Sequence, residues 1–173
     1  YNPEQQPLKN PYAFGNAWFV DKLDMVDNAD AEIEALNTID PLRTAVVDKR
    51  FQEDLEGFVP QKDSTATIVL EEYRPNRLTY KSKADKEQLA VFSEVYYQPG
   101  WKATVDGKEV PHFRADWILR GMRVPAGEHT IVFEFRPSGY VTVSLRFFLQ
   151  FVPDLVIADR CDRLVGMEIL EKE

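Results

Sequence analysis

Pro99-Gly100-Trp101-Lys102-Ala103-Thr104-Val105-Asp106-Gly107 is the stretch whose reading decides the fold. A Pro-Gly turn hands the chain into five residues in which Trp101, Ala103 and Val105 point one way, the period-2 pattern of a strand. Asp106-Gly107 then closes that strand, because a two-residue hairpin turn needs positive φ at both centres and Asp-Gly supplies it readily. The same pattern extends in both directions. Upstream, Ile68 and Leu70 alternate with Thr67, Val69 and Glu71, and Arg74-Pro75-Asn76 is turn chemistry. Leu78 and Tyr80 then alternate with Arg77, Thr79 and Lys81, giving one apolar and one basic face, as in a half-exposed antiparallel strand. Residues 89–97 are apolar on both faces and read as a central strand. Downstream, residues 117–124, the Pro125-Ala126-Gly127 turn and residues 129–135 form a further hairpin, with Ile131, Phe133 and Phe135 inward. Strands at this spacing, punctuated by turns, predict a mainly β fold, an antiparallel β-sandwich of jelly-roll-like type.

The N-terminal side is less regular. Residues 1–16 read as an extended lead-in, residues 17–140 as the β-sandwich domain and residues 141–173 as a C-terminal extension without defined structure. Residues 17–20 and 44–48 are short strand candidates, and residues 49–64 are polar and poorly patterned. One short N-terminal helix is expected over residues 27–37, capped by Asp27 or Asn28, with Ala29, Ile33 and Leu36 on one face. Helices below about 12–15 residues are marginal alone in water, so this one must pack on the sheet. The acids Asp21, Asp24, Asp27 and Asp30 lack the glycine and ligand spacing of a calcium loop, so no metal site is expected there. The basic stripe Arg77, Lys81 and Lys83 reads as a solvated face.

At 173 residues and 44% hydrophobic content the chain fits one domain with a real core. Its net charge of −8 disfavours a nucleic-acid backbone partner, which needs clustered Lys and Arg, so no nucleic acid is expected, and it argues likewise against an anionic membrane surface. Cys161 is the only cysteine, so no internal disulfide forms. The most apolar stretch, residues 141–157, is broken by Arg146, Gln150, Pro153 and Asp154, whereas a membrane helix needs about 20 mainly apolar residues. The chain opens on Tyr1 with no leader in view, which reads as a trimmed start and carries no weight for a cytoplasmic location.

Catalytic signatures are lacking. The chain holds no phosphate-cradling glycine loop, Gly-x-Ser-x-Gly elbow, paired-cysteine motif or His-Glu-x-x-His pattern, so no catalytic residue and no cofactor is expected. Paired carboxylates alone cleave glycosides, but no spacing among the 29 acids singles out a pair. The informative cluster is His112, Arg114 and Asp116, which alternation places on one face just before Trp117. Glu94 and Tyr96 share a face of the preceding long strand. Together with Trp101 they make the candidate ligand-binding set Glu94, Tyr96, Trp101, His112, Arg114, Asp116 and Trp117, resembling a sugar-binding face on which rings stack and charges meet hydroxyls. The competing reading is structural, since a charged ladder beside aromatics is more commonly an ion pair that fixes strand register.

Residues 91–107 resemble a motif of the YfhO-like bacterial membrane protein family, as do His112-Phe113-Arg114-Ala115-Asp116, Leu119-Arg120 and Val124-Pro125-Ala126-Gly127-Glu128-His129. Upstream, Asn10-Pro11-Tyr12-Ala13-Phe14-Gly15-Asn16-Ala17-Trp18-Phe19-Val20 is similar to the opening of the same region, so the resemblance spans roughly residues 8 to 137. It implies a multi-span protein related to the lipid-linked sugar transferases of the GT-C type, with this chain as a C-terminal soluble region on the extracytoplasmic side, tethered to the membrane. The catalytic acids of such proteins lie in loops between membrane helices, and none is matched here. The implied partners are a glycan or lipid-linked sugar and the membrane-embedded region of the same parent. The implied role is a non-catalytic binding or scaffolding domain; the alternatives are a free-standing carbohydrate-binding module and, behind it, a glycoside hydrolase. The family pattern also implies a membrane helix soon after Pro137, where Arg146, Pro153 and the charged residues 159–173 stand instead.

Overall fold

The computed structural model describes residues 10, 11 and 13–137; the lead-in through residue 9, the extension over residues 141–173 and Cys161 lie outside the described residues. Within them the alternating segments form β1 (Ala17–Val20), β2 (Lys22–Val26), β3 (Thr44–Asp48), β4 (Thr67–Arg74), β5 (Arg77–Ala84) and β6 (Gln88–Val95). They continue as β7 (Trp101–Val105), β8 (Lys108–Val110), β9 (Phe113–Ala115), β10 (Leu119–Val124) and β11 (Gly127–Phe135). A short helix α1 (Ala29–Ala35) lies between β2 and β3, and a 3-10 helix (Lys49–Leu55) follows β3. The order β1-β6-β10-β9 makes an antiparallel four-stranded sheet and β4-β5-β11-β7-β8 an antiparallel five-stranded one. The chain is mainly β, as the alternation predicts. Asp106 and Gly107 take φ of 50° and 81° between β7 and β8, the positive pair the hairpin requires.

The two sheets face each other through one core. Leu78 and Tyr80 from β5, Ala103 and Val105 from β7, and Ile131 and Phe133 from β11 meet Ala90, Phe92, Met122 and Val124 from β6 and β10. Phe92 packs edge-to-face on Tyr80 and on Phe133, with centroids 4.9 Å apart in each pair. Such pairs contribute about 0.5–1.5 kcal/mol each beyond their buried area.

The four-stranded sheet is covered on its other face too. Val20, Leu89, Val91, Phe113 and Ala115 pack there under Ala45 and Val47 of β3, Leu55 and Phe58. Residues 88–92 of β6 are therefore all buried, which is why the segment is apolar on both faces. Gly121 of β10 lies directly beneath the Phe113 ring, and a Cβ there would come within 2.4 Å of Phe113 Cε2.

Three local expectations change. The helix is shorter than residues 27–37, with Asn28 capping it by accepting from the Ala31 amide at 2.9 Å. Its buried residue is Glu32, while Ile33 is exposed, because this helix buries an ion pair and not an apolar face. The polar stretch after Asp48 contains a 3-10 helix, started where Asp48 accepts the Arg50 amide at 2.9 Å. The last departure is that β10 begins at Leu119, because Asp116 and Trp117 take φ of 49° and 68° and turn the chain.

β2 and β3 add a small parallel pair that period-2 patterning does not reveal. Among the described residues no helix is long and apolar enough to cross a membrane.

Candidate functional site

The sequence-nominated residues separate into two groups. Arg114 and Asp116 turn toward the covering layer. Arg114 donates to the fully buried Glu32 at 2.6 Å and lies 3.6 Å from Asp48, itself paired with Arg50 at 2.7 Å. Asp116 joins β3 twice, since its amide donates to the Val46 carbonyl and its Oδ1 accepts the Val46 amide, both at 2.8 Å. The Trp117 amide donates to the second oxygen of Glu32 at 2.9 Å. The links from Arg114, Asp116 and Trp117 run from β9 and the turn after it to residues 32–48, so this set ties the covering layer onto the four-stranded sheet. Burial, with the Glu32 charge nearby, pushes the Asp116 carboxyl up to about 6 against the pull of the Val46 amide.

Tyr96, Trp101 and His112 form the second group and line one groove of ≈ 600 Å³ with Arg50, Phe51, Asp54, Gln98, Lys102 and Glu109. That size is within the range of about 300–1,000 Å³ usual for small-ligand sites. Its elements converge for local reasons. Phe51 is placed by the 3-10 helix, and Tyr96 is fixed as its amide donates to the Ile118 carbonyl at 2.7 Å. Gly100, at φ 114°, turns the chain so that Trp101 opens β7. The β7–β8 hairpin sets Lys102 beside Glu109, with Nζ 3.1 and 3.2 Å from its two oxygens. The rings form a continuous ladder, Phe51 to Tyr96 at 5.7 Å, Tyr96 to His112 at 5.6 Å and His112 to Phe133 at 5.6 Å.

Behind this groove lies an arginine that its role in the sequence had not marked. Arg120 is 2% exposed and sits in line with Met122 and Val124, positions that face the core. Its guanidinium stacks 4.1 Å from the Trp101 ring centroid and 5.2 Å from that of Phe133, and its Nε donates to the Val95 carbonyl at 3.0 Å. Glu94, half-buried and continuing the Ala90–Phe92 line of β6, provides the opposing charge that favours the cation. Arg120 Nη1, His112 Nε2 and Tyr80 Oη are buried and have no hydrogen-bond partner among the described residues. Burial and the Arg120 charge pull the His112 pKa down to about 4, so the imidazole is neutral at pH 7. Burial, with Glu53 nearby, raises the Asp54 carboxyl.

Phe51, Asp54 and Glu109 join the groove from segments whose pattern offered no functional signal, and Gln98 and Lys102 come from the 91–107 stretch without having been singled out there. Arg120 did carry one, as a charged residue in an otherwise inward series. Chemically, the groove presents flat rings for stacking with donors and acceptors at its rim, a combination suited to a polyhydroxylated ligand.

Comparison with known proteins gives one positive result. The family described as "Bacterial membrane protein YfhO" matches residues 52–145, more than half of the chain. That span contains all seven nominated residues and Arg120. No curated protein and no solved structure matches the chain.

Proposed function

The chain belongs to the bacterial membrane protein YfhO family, and from that premise we propose that it is a non-catalytic, extracytoplasmic binding and scaffolding domain of a multi-span protein that handles lipid-linked sugars or cell-envelope glycans. The observation that carries the reading is the groove lined by Phe51, Tyr96, Trp101 and His112, with Asp54, Gln98, Lys102 and Glu109 at hand for hydroxyl groups. Glu94 contributes through Arg120, whereas Arg114, Asp116 and Trp117 brace the turn that holds Tyr96 in place. The scaffolding partner is the membrane-embedded region of the same parent.

Titrating the chain with soluble cell-envelope glycan fragments, followed by NMR, tests binding. Shifts confined to Tyr96, the Trp101 indole and His112 are expected. No perturbation with any fragment, in a chain that remains folded, would remove the groove from consideration. A free-standing carbohydrate-binding module would give the same shifts; hydropathy of the complete gene separates the two, since only the membrane-attached reading requires several spanning segments.

Asp54 and Glu109 line the same groove, which keeps a hydrolase reading testable. The Lys102 contact to both Glu109 oxygens favours a positioning role over proton transfer. Turnover of glycosides that disappears in Asp54→Asn would establish the hydrolase instead.

A further inference from the structure

The β9–β10 turn carries an apolar tip that the groove does not use. Val95, Tyr97, Trp117 and Ile118 are 62%, 53%, 42% and 45% exposed. They are neighbours in space, because Leu119 pairs with Val95 and the Tyr96 amide donates to the Ile118 carbonyl. Leu119 itself packs against the second core, so the tip extends that apolar face outward past the layer that covers it.

The tip is held in place from behind. Trp117 sits at φ 68°, a conformation costly for a bulky side chain, with its amide fixed by Glu32 and its neighbour Asp116 fixed on Val46. The cations nearby are turned away, Arg114 toward Glu32 and Arg120 into the core.

We propose that this tip is a shallow lipid-contacting surface, seating Trp117, Tyr97, Val95 and Ile118 at the headgroup–acyl boundary of a bilayer. Membership of a membrane-protein family brings a bilayer within reach of the chain. Trp and Tyr, with an apolar body and a polar edge, are the residues that gather at that boundary. Four side chains are too few for a stable protein interface, which takes about 20–30 residues a side. With a net charge of −8 on the chain and no cation at the tip, the contact is apolar and gains nothing from anionic lipid.

The test is cosedimentation of the 173-residue chain with vesicles of phosphatidylcholine and with vesicles of equal parts phosphatidylcholine and phosphatidylglycerol. Expected are salt-insensitive partitioning onto phosphatidylcholine with a blue shift of tryptophan emission, and weaker partitioning when phosphatidylglycerol is present. The double variant Trp117→Asn, Tyr97→Ser should lose about tenfold or more in partitioning, since each large apolar side chain is worth at least a decade. Asn tolerates positive φ better than Trp, so this variant keeps the turn and remains folded. Absence of partitioning onto either vesicle, stronger salt-sensitive binding to the anionic one, or wild-type partitioning by the variant would overturn the proposal. So would a dimer in sedimentation that the variant abolishes.

Discussion

Glu32 and Arg114 meet at 2.6 Å across 82 residues of chain, and this contact fastens the covering layer to the four-stranded sheet. Glu32 is fully buried and also accepts the Trp117 amide. Removing one partner of a buried pair strands the other, at about 3–5 kcal/mol. Glu32→Ala should therefore lower unfolding free energy by that amount in urea denaturation. The double variant Glu32→Leu, Arg114→Met should recover part of the loss, the remainder reflecting the unpaired Trp117 amide. A loss below 1 kcal/mol for Glu32→Ala would mean that this contact does not hold the layers together.

Asp116 and His112 predict opposing pH dependences within one window. Asp116 titrates near 6 when folded and near 4 when unfolded, so the folded state binds more protons between those values and stability falls as pH rises. His112 titrates near 4 when folded and near 6.5 when unfolded, so the unfolded state binds more protons and stability rises with pH. The two slopes offset each other in the wild type. Asp116→Asn should gain about 2 kcal/mol at pH 7, with the gain vanishing below pH ~4. His112→Phe should lose the rising component, so its stability relative to wild type drops as pH increases from 4 to 6.5. Chemical denaturation at a series of pH values reads both differences, and parallel curves for all three proteins would refute the assignment.

Gly121 is required by the ring above it. In Gly121→Ala the new methyl would press on Phe113, which is walled in by the covering layer. Overpacking of this kind costs about 1–3 kcal/mol, measurable as a lowered denaturation midpoint. Adding Phe113→Leu to Gly121→Ala should return part of that loss, and an unchanged midpoint in Gly121→Ala would show that the ring has room to move.

Trp101 should matter to both stability and binding, in separable ways. Trp101→Ala uncovers the Arg120 guanidinium and removes its contact with Phe135, for an expected loss of about 2–4 kcal/mol. Trp101→Phe keeps a ring over the cation and should remain folded, while weakening glycan binding by about tenfold through lost stacking area. Equal glycan affinity in wild type and Trp101→Phe would place the ligand elsewhere.

Much of the sandwich was legible because its strands are half-exposed and write their orientation into alternation. Leu78 and Tyr80 against Thr79 and Lys81 is such a case, and Asp106-Gly107 fixed a hairpin through backbone requirements alone. The covering layer was harder to read. β2 takes its place by pairing in parallel with β3, a partner some 20 residues away, and α1 is buried through a glutamate whose partner lies 82 residues downstream. Periodicity reports a face, and it cannot report a charge that is matched across the fold. For the same reason His112, Arg114 and Asp116 alternate in sequence yet serve different surroundings: β9 ends at Ala115 and positive φ at Asp116 redirects the chain. The groove was half visible, through Tyr96, Trp101 and His112, because its other wall comes from the 3-10 helix, where no pattern announces a site.

The family match begins at residue 52, whereas the roof over the four-stranded sheet is built largely from residues before it. A piece cut at that boundary would lose β1, leaving one edge of β6 without its hydrogen-bonded neighbour. It would also bare Leu89, Val91 and Phe113, an adhesive combination of open strand edge and oily surface. Expression trimmed to residues 52–145 should therefore yield aggregates where residues 10–137 stay in solution, a difference that centrifugation of the two lysates reads directly.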